Sequence, residues 1–231
     1  MKNKDFEEWN EQMYRKHGNE NRYEHPNFLI RYNSQRRVRN IISLLDSNPN
    51  DDVLELGCGA GLVMKQVREY NSLAGVDMSS TALKEASRNL KGKDNVSLLK
   101  GDVQILKLRK KFDKIICAEV IEHVPKPSGV IDTIIRLSKK DSDIIITVPN
   151  EDLINFIFRI FKLFRMHKVF GGVTIKMDWH LHEFNLKKFR KLVNNKLKIV
   201  KIRRNPFWFF PLSYVVKCRN HQAKYKAKHK A

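Results

Sequence analysis

The sequence predicts an α/β protein, a doubly wound sheet covered by helices on both faces, and three observations carry that prediction. Short apolar runs alternate with segments of helical period from residue 36 to residue 149. The first of these runs ends in a glycine loop, ELGCGAG at 55–61, of the kind that joins a strand to a helix over a ligand. At 231 residues the chain suits one domain of ordinary size with an elaborated cap.

RRVRNIISLLD at 36–46 places apolar side chains at helical spacing and feeds the apolar strand DDVLEL at 51–56. LVMKQVREY at 62–70 reads as helix, LAGVD at 73–77 as strand, STALKEASRNL at 80–90 as helix and NVSLLKGD at 95–102 as strand. FDKIICAE at 112–119, SGVIDTIIRLS at 128–138 and SDIIITVP at 142–149 follow as strand, helix and strand. Five strands separated by helices make a parallel sheet buried on both faces. Ser79 or Ser80 caps the helix after Asp77, and Pro149 ends the fifth strand.

Beyond Pro149 the pattern changes. LINFIFRIFKLFRM at 153–166 is predicted as an amphipathic helix, with Arg159, Lys162 and Arg165 on one stripe and apolar residues around the rest. Gly171 and Gly172 break it, a helix follows over 185–194, and 197–204 and 211–219 read as two final strands. The implied organisation is an N-terminal helical cap over 1–50, a ligand-binding core over 51–150 and an inserted amphipathic cap over 151–184. A helix and strand pair over 185–219 completes the sheet, and 220–231 forms a basic tail.

The formal charge is +20, and the last 81 residues, with 20 basic and 4 acidic side chains, hold +16 of it. Such an asymmetry points to an anionic partner for the C-terminal portion: nucleic acid, a phosphorylated substrate or an acidic membrane surface. The plainer alternative is a lysine-rich solvated surface. The start, MKNKDFEEWNEQ, lacks the apolar core of a secretory signal, and no 18-residue uncharged stretch could span a bilayer. The expected compartment is the cytoplasm, with peripheral attachment at the inner face of the membrane as its elaboration. Three cysteines without a CxxC pair, Cys58, Cys117 and Cys218, argue against a disulfide scaffold or a structural zinc and read as small buried residues.

A glycine loop between strand and helix lets backbone approach a ligand closely. The dinucleotide fingerprint G-x-G-x-x-G would need glycine at 62, where this chain has Leu62; its glycines are Gly57, Gly59 and Gly61. Glu55, two residues before the first glycine, would repel a pyrophosphate but suits a cationic ligand such as an aminoacyl ammonium. Asp77, twenty residues past Gly57 at the end of the second strand, is placed to accept from two ribose hydroxyls.

With VLELGCGAG, GVD at 75–77, KGD at 100–102 and FDKIICAEVIEHV at 112–124, the chain resembles the class I S-adenosylmethionine-dependent methyltransferases over roughly residues 36–150, those of type 11 and of quinone biosynthesis included. The resemblance implies a Rossmann-like sheet of seven strands, with the seventh, 211–219, running antiparallel between the fifth and the sixth. It implies that Glu55, Gly57, Gly59 and Gly61 surround the methionine part of S-adenosyl-L-methionine. It places Asp77 and Met78 at the ribose, Asp102 and Val103 at the adenine, and Glu119 along the cleft. Arg37, in the helix before the core, matches an arginine that meets the cofactor carboxylate in the quinone group, a pairing of planar fork with carboxylate that is chemically apt.

The acceptor is expected beside the end of the fourth strand, at Glu119-Val-Ile-Glu122-His123. This cluster could hold a divalent cation such as magnesium on Glu119, Glu122 and His123, or His123 could act alone as a base. The alternative is a sheet-to-helix corner with a packed histidine. DWHLHEF at 178–184 supplies His180 and His182, and in two methyltransferase groups that this chain resembles, the quinone O-methyltransferases and the small-RNA 2′-O-methyltransferases, a histidine from this region completes the cluster. Glu122, His123 and His182 are taken as the catalytic set, while a capping or core role for either histidine of 180–182 stays open. The phenylalanine-rich segment 153–166 has the composition of an interfacial membrane helix, or of a lid packed on the domain. The expected function is therefore O-methylation of a hydrophobic or membrane-associated, quinone- or lipid-like small molecule. An RNA ribose acceptor and a non-catalytic cofactor-binding module are the alternatives.

Overall fold

A computed structural model describes residues 3–17, 23–163 and 180–220. Gly171, Gly172, residues 164–166 of the predicted amphipathic helix, the side chains of Lys162 and Arg165, and the tail beyond 220 lie outside the described residues.

Seven strands form one sheet in the order β3-β2-β1-β4-β5-β7-β6. They are β1 (Asp52–Leu56), β2 (Ser72–Asp77), β3 (Val96–Lys100), β4 (Phe112–Cys117), β5 (Ser138–Pro149), β6 (Leu197–Pro206) and β7 (Pro211–Asn220). The first five are parallel, and β7 runs antiparallel between β5 and β6. The place expected for the seventh strand from the resemblance, antiparallel between the fifth and the sixth, is the place observed. β1 is buried at all five positions, as both-face burial in a parallel sheet demands. Alternate residues split between two cores: Leu54, Ile115, Ile144 and Ile146 point to one, and Val53, Ile116 and Ile145 to the other. Cys58, Cys117 and Cys218 are all buried thiols.

The helices are α1 (Asn3–His17), α2 (Phe28–Leu45), α3 (Leu62–Gln66), α4 (Ser80–Asn89), α5 (Pro127–Leu137), α6 (Glu151–Leu163) and α7 (Leu186–Val193). Asn27 starts α2, its side chain accepting from the Leu29 and Ile30 N–H groups, so the helix begins eight residues before the apolar period becomes obvious. Ser79, not Ser80, caps α4, accepting from the Ala82 N–H at 3.0 Å. α3 is shorter than the sequence suggests. Val67 turns extended (φ −69°, ψ 120°) to bury its side chain, and its carbonyl accepts from Lys93 Nζ.

α1 is an element that periodicity in the polar N-terminal segment left unread. Phe6 is buried, with Trp9 stacked beside it at 5.8 Å. Polar contacts fasten the same helix to α4 and β3: Tyr14 Oη donates to Glu85 Oε2 (2.7 Å), Lys100 Nζ meets Glu7 Oε1 (2.6 Å), and Glu11 accepts from the Ser80 N–H (2.9 Å) and the Thr81 hydroxyl. Burial works to raise the Glu11 pKa, but the hydrogen bonds from Thr81, Ser79 and Arg15 outweigh it and hold the group at about 2. A carboxylate depressed in the folded state stabilises above its ordinary value of 4.5, and that contribution is lost as pH falls toward 2. Glu11→Ala is therefore expected to lower stability at pH 7 by about 1 kcal/mol, the size of a lost helix cap. Thermal melts of both proteins should converge as the pH is taken from 4.5 downward.

Candidate functional site

A cavity of about 270 Å³ opens at the C-terminal edge of the sheet, around β1 and β4, where the strand order reverses. Its lining includes Arg37, Glu55, Gly57, Gly59, Asp77, Met78, Asp102, Val103, Glu119 and His123, so most of the residues singled out from the sequence meet here. Gly61 lies one turn on and begins α3 with φ +72°. A Cβ built on Gly57 (φ +71°) would come within 2.4 Å of Val120 Cγ2, whereas one on Gly59 would meet open space. The first glycine is thus required by close packing of the loop on the β4 end, and the second keeps the cavity wall bare.

Asp77 organises the loop. Its Oδ2 accepts from the Gly59 N–H (2.8 Å) and its Oδ1 from the Ser79 N–H (2.9 Å), while the Val76 carbonyl takes the Gly57 and Cys58 N–H groups. Burial raises the Asp77 pKa, and the backbone bonds from Ser79, Gly59 and Met78 oppose it. Each carboxylate oxygen keeps acceptor capacity toward the cavity, as a pair of ribose hydroxyls would need. Asp102 accepts from the Gln104 N–H (2.8 Å) and side chain, which fixes it at the cavity rim. Glu55 is 2% exposed, and its Oε2 has no hydrogen-bond partner among the described residues. Burial pushes its pKa well up, against a backbone bond from Met64 and with the Asp77 charge adding to the rise.

Arg37, buried, pairs with Glu119 at 3.1 Å. Glu119 adopts φ +56°, uncommon for a side chain of its size, and Thr147 holds it there: the Thr147 Oγ1 accepts from the Glu119 N–H and donates to its Oε1, both at 2.8 Å. Glu119, expected from the sequence as part of a metal set, here turns its carboxylate to Arg37 and Thr147. The three groups whose ligand atoms lie within 4.8 Å of one another are Glu122, His123 and His180. His180, on the segment entering α7, packs edge-on against His123 with ring centroids 4.7 Å apart. Its Nδ1 lies 2.5 Å from Glu151 Oε1, and Glu151 Oε2 accepts from the Phe184 N–H. His182 points elsewhere: its Nε2 is 3.2 Å from the Pro125 carbonyl and its ring meets Phe184. Alternation along an extended segment separates the two histidines, and His180 takes the place that the sequence reading assigned to His182.

Glu122 is 1% exposed with neither carboxylate oxygen hydrogen-bonded among the described residues. Burial first, then the Glu119 charge, pushes its pKa well above the ordinary range. A buried carboxylate left so is costly unless protonated or met by a cation. The donor set of one carboxylate and two imidazoles fits a divalent ion.

The sequence reading passed over Phe6, Asn10, Tyr14 and Tyr23, which close the cavity from α1 and the segment before α2. The signal was available: positions 6, 10 and 14 recur at the helical spacing of one face.

A family model described as a methyltransferase domain matches residues 47–196. The chain belongs to this methyltransferase domain family. A ubiquinone biosynthesis O-methyltransferase of Coxiella burnetii is 30% identical over 111 residues, 47% of either chain, so the match spans about half of that relative. Among solved structures, the N-methyltransferase NodS of Bradyrhizobium japonicum WM9, in complex with S-adenosyl-L-homocysteine, superposes with a TM-score of 0.68 at 15% identity, covering 92% of this chain and 98% of the other. The magnesium protoporphyrin IX methyltransferase of Synechocystis PCC 6803, with bound SAM, gives 0.65 at 18% identity over 93% and 97%. The fold is thus that of the S-adenosylmethionine-dependent methyltransferases. The cavity fits that cofactor on its own chemistry too, with a bare glycine wall, the Asp77 carboxylate suited to a pair of hydroxyls and the unpartnered Glu55 Oε2 suited to a cationic group.

Gly57→Ala should lose about 1–3 kcal/mol of stability through the Val120 clash and the positive φ, and S-adenosylhomocysteine affinity by calorimetry should fall at least about tenfold. Adding Val120→Ala should recover part of both. A group whose folded pKa is raised destabilises the native state progressively as pH climbs above its unfolded value, here 4.5. Glu55→Gln is accordingly expected to stabilise the ligand-free protein at pH 8 and not at pH 4, in thermal melts at both.

Proposed function

We propose that the chain is an S-adenosylmethionine-dependent methyltransferase that transfers the methyl group to an oxygen of a hydrophobic, membrane-associated small molecule, quinone- or lipid-like. The observation that carries the reading is the meeting, in one cavity, of the glycine loop and Asp77 with His123, the edge of the Glu122–His123–His180 cluster. When bound, the cofactor supplies a methyl group on a sulfonium, a good leaving group in place. The protein's work is then to position and to move a proton. Glu55 and the bare glycine wall receive the amino-acid end, with Arg37 close by. Asp77 and Asp102 set the ribose and the base, and α1 shields the cleft from water. His123, with His180 against it and Glu151 holding His180, is the candidate base for the acceptor hydroxyl's proton. Where the cluster instead holds a divalent ion such as magnesium on Glu122, His123 and His180, His123 is a ligand rather than the base, and the ion would lower the hydroxyl's pKa and offset the desolvation of Glu122.

Support for an apolar acceptor comes from α6, which leads away from the cluster with Phe156 (58% exposed) and Ile160 (36% exposed) uncovered. A peripheral membrane contact through 153–166 belongs to the same reading. No helix among the described residues is long and apolar enough to cross a membrane. The ubiquinone-pathway name of a relative at 30% identity points the same way. An RNA ribose hydroxyl is the second reading, favoured by the basic C-terminal portion.

Labelled cofactor incubated with fractionated cell extract should deliver its methyl group to the lipid fraction; label in RNA would favour the second reading, and none anywhere would defeat both. Asp77→Ala is expected to weaken S-adenosylhomocysteine binding by two orders of magnitude or more, about 3 kcal/mol. Turnover should fall at least about a hundredfold with a chelator and return with magnesium, a response that Glu122→Gln and His180→Ala each remove. Full activity in chelator would eliminate the ion.

A further inference from the structure

The turn between β6 and β7 carries four aromatic residues in a row, and the structure leaves them uncovered: Phe207 39%, Trp208 75%, Phe209 67% and Phe210 40% exposed. They continue a patch from the start of α2, where Phe28 (62%) and Leu29 (60%) are also exposed. Phe28, Tyr32, Phe207 and Phe209 stack in one column, with successive centroids 5.8, 5.7 and 5.6 Å apart, and Trp208 meets Phe209 edge-on. The column is rigidly based. Asn205, fully buried, donates to Asn33 Oδ1 (2.8 Å) and accepts from Asn40, tying the hairpin to α2.

Charge identifies the occupant. Residues 25–36 and 203–213, which build the patch, carry Arg31, Arg36, Arg203 and Arg204 and no aspartate or glutamate. Arg31 lies over the Phe28 ring at 5.9 Å and Arg204 holds the Trp208 carbonyl at 3.0 Å. Such a surface repels a second copy of itself and attracts an anionic one. Phe28, Tyr32, Phe207 and Phe209 turn their faces to each other, which leaves fewer faces for stacking bases and presents hydrocarbon edges beside Trp208. The patch also has a direction: β7 enters beside the end of β5, with Ser213 opposite Pro149, so the hairpin projects from the sheet edge that holds the cavity.

We infer that the β6–β7 aromatic hairpin, with Phe28 and Leu29, is a docking surface for an anionic lipid bilayer, inserting at headgroup depth and turning the cavity edge toward the membrane. This contact is separate from α6 and does not depend on which acceptor is methylated.

The full chain should float with vesicles of mixed phosphatidylcholine and phosphatidylglycerol and far less with phosphatidylcholine alone. Trp208→Ser with Phe209→Ser should reduce the bound fraction at least about tenfold, as should Phe28→Ser with Leu29→Ser, each variant keeping the wild-type melt. Phe156→Ser with Ile160→Ser on α6, the separate contact, should add its own loss to that of either patch variant rather than account for it. Brominated lipid should quench the emission that distinguishes wild type from Trp208→Phe. Unchanged flotation of both patch variants, loss confined to the α6 variant, or wild-type binding to RNA but not to vesicles would each overturn the proposal. A concentration-dependent dimer abolished in the patch variant, with no vesicle binding, would do the same. S-adenosylhomocysteine calorimetry on the same samples reports separately on the methyltransferase reading, which can fail while the vesicle result stands.

Discussion

The Asp77 carboxylate draws the Gly59 N–H onto one oxygen and the Ser79 N–H onto the other, and the rest of the site takes its shape from that arrangement. A single side chain at the end of β2 thereby fixes the loop after β1 and the start of α4, two segments that otherwise share no covalent constraint. Charge-assisted bonds of this sort are among the stronger ones available to a backbone amide. With Gly57 pressed against Val120, the loop has little freedom on its other side, so the cavity wall is set before any ligand arrives.

Around that wall the protein places more buried charge than a core would tolerate without purpose. Arg37 and Glu119 answer one another, and Glu119 keeps an unusual backbone angle to do so. Glu55 and Glu122 have no such answer, and burial drives both toward their protonated forms. In the proposed reading they lie at the two ends of the chemistry, Glu55 toward the donor and Glu122 toward the acceptor. Their desolvation is a cost to the ligand-free fold that a cationic group at either end would offset.

The strands themselves, the glycine loop and Asp77 were legible because each rests on local pattern: period two or three and a half along the chain, glycines where φ is positive, an acid at a strand end. The place of the last strand came from the family resemblance. Reading α1 was harder, since Phe6, Asn10 and Tyr14 are spread through a polar segment whose helix is held by Glu11 and Tyr14 reaching across to α4. The histidines show the limit more sharply. His180 and His182 are equivalent on paper, two residues apart in one motif, and only the path of the segment past Glu122, whose carbonyl takes the Leu181 and His182 N–H groups, turns the first toward His123 and the second toward Pro125.

What the amino-acid sequence by itself determined is the class of fold and the glycine loop with the acid at the next strand's end, because both are written in short-range spacing. Which carboxylate is spoken for and which is left bare, and which histidine completes the cluster, were decided by tertiary structure. So was the joining of FWFF at 207–210 to Phe28 and Tyr32 in one exposed column. The reason is common to all three. Each depends on groups far apart in the chain, Arg37 with Glu119, Glu151 with His180, Tyr32 with Phe207, and their meeting is set by the twist and order of the sheet that carries them.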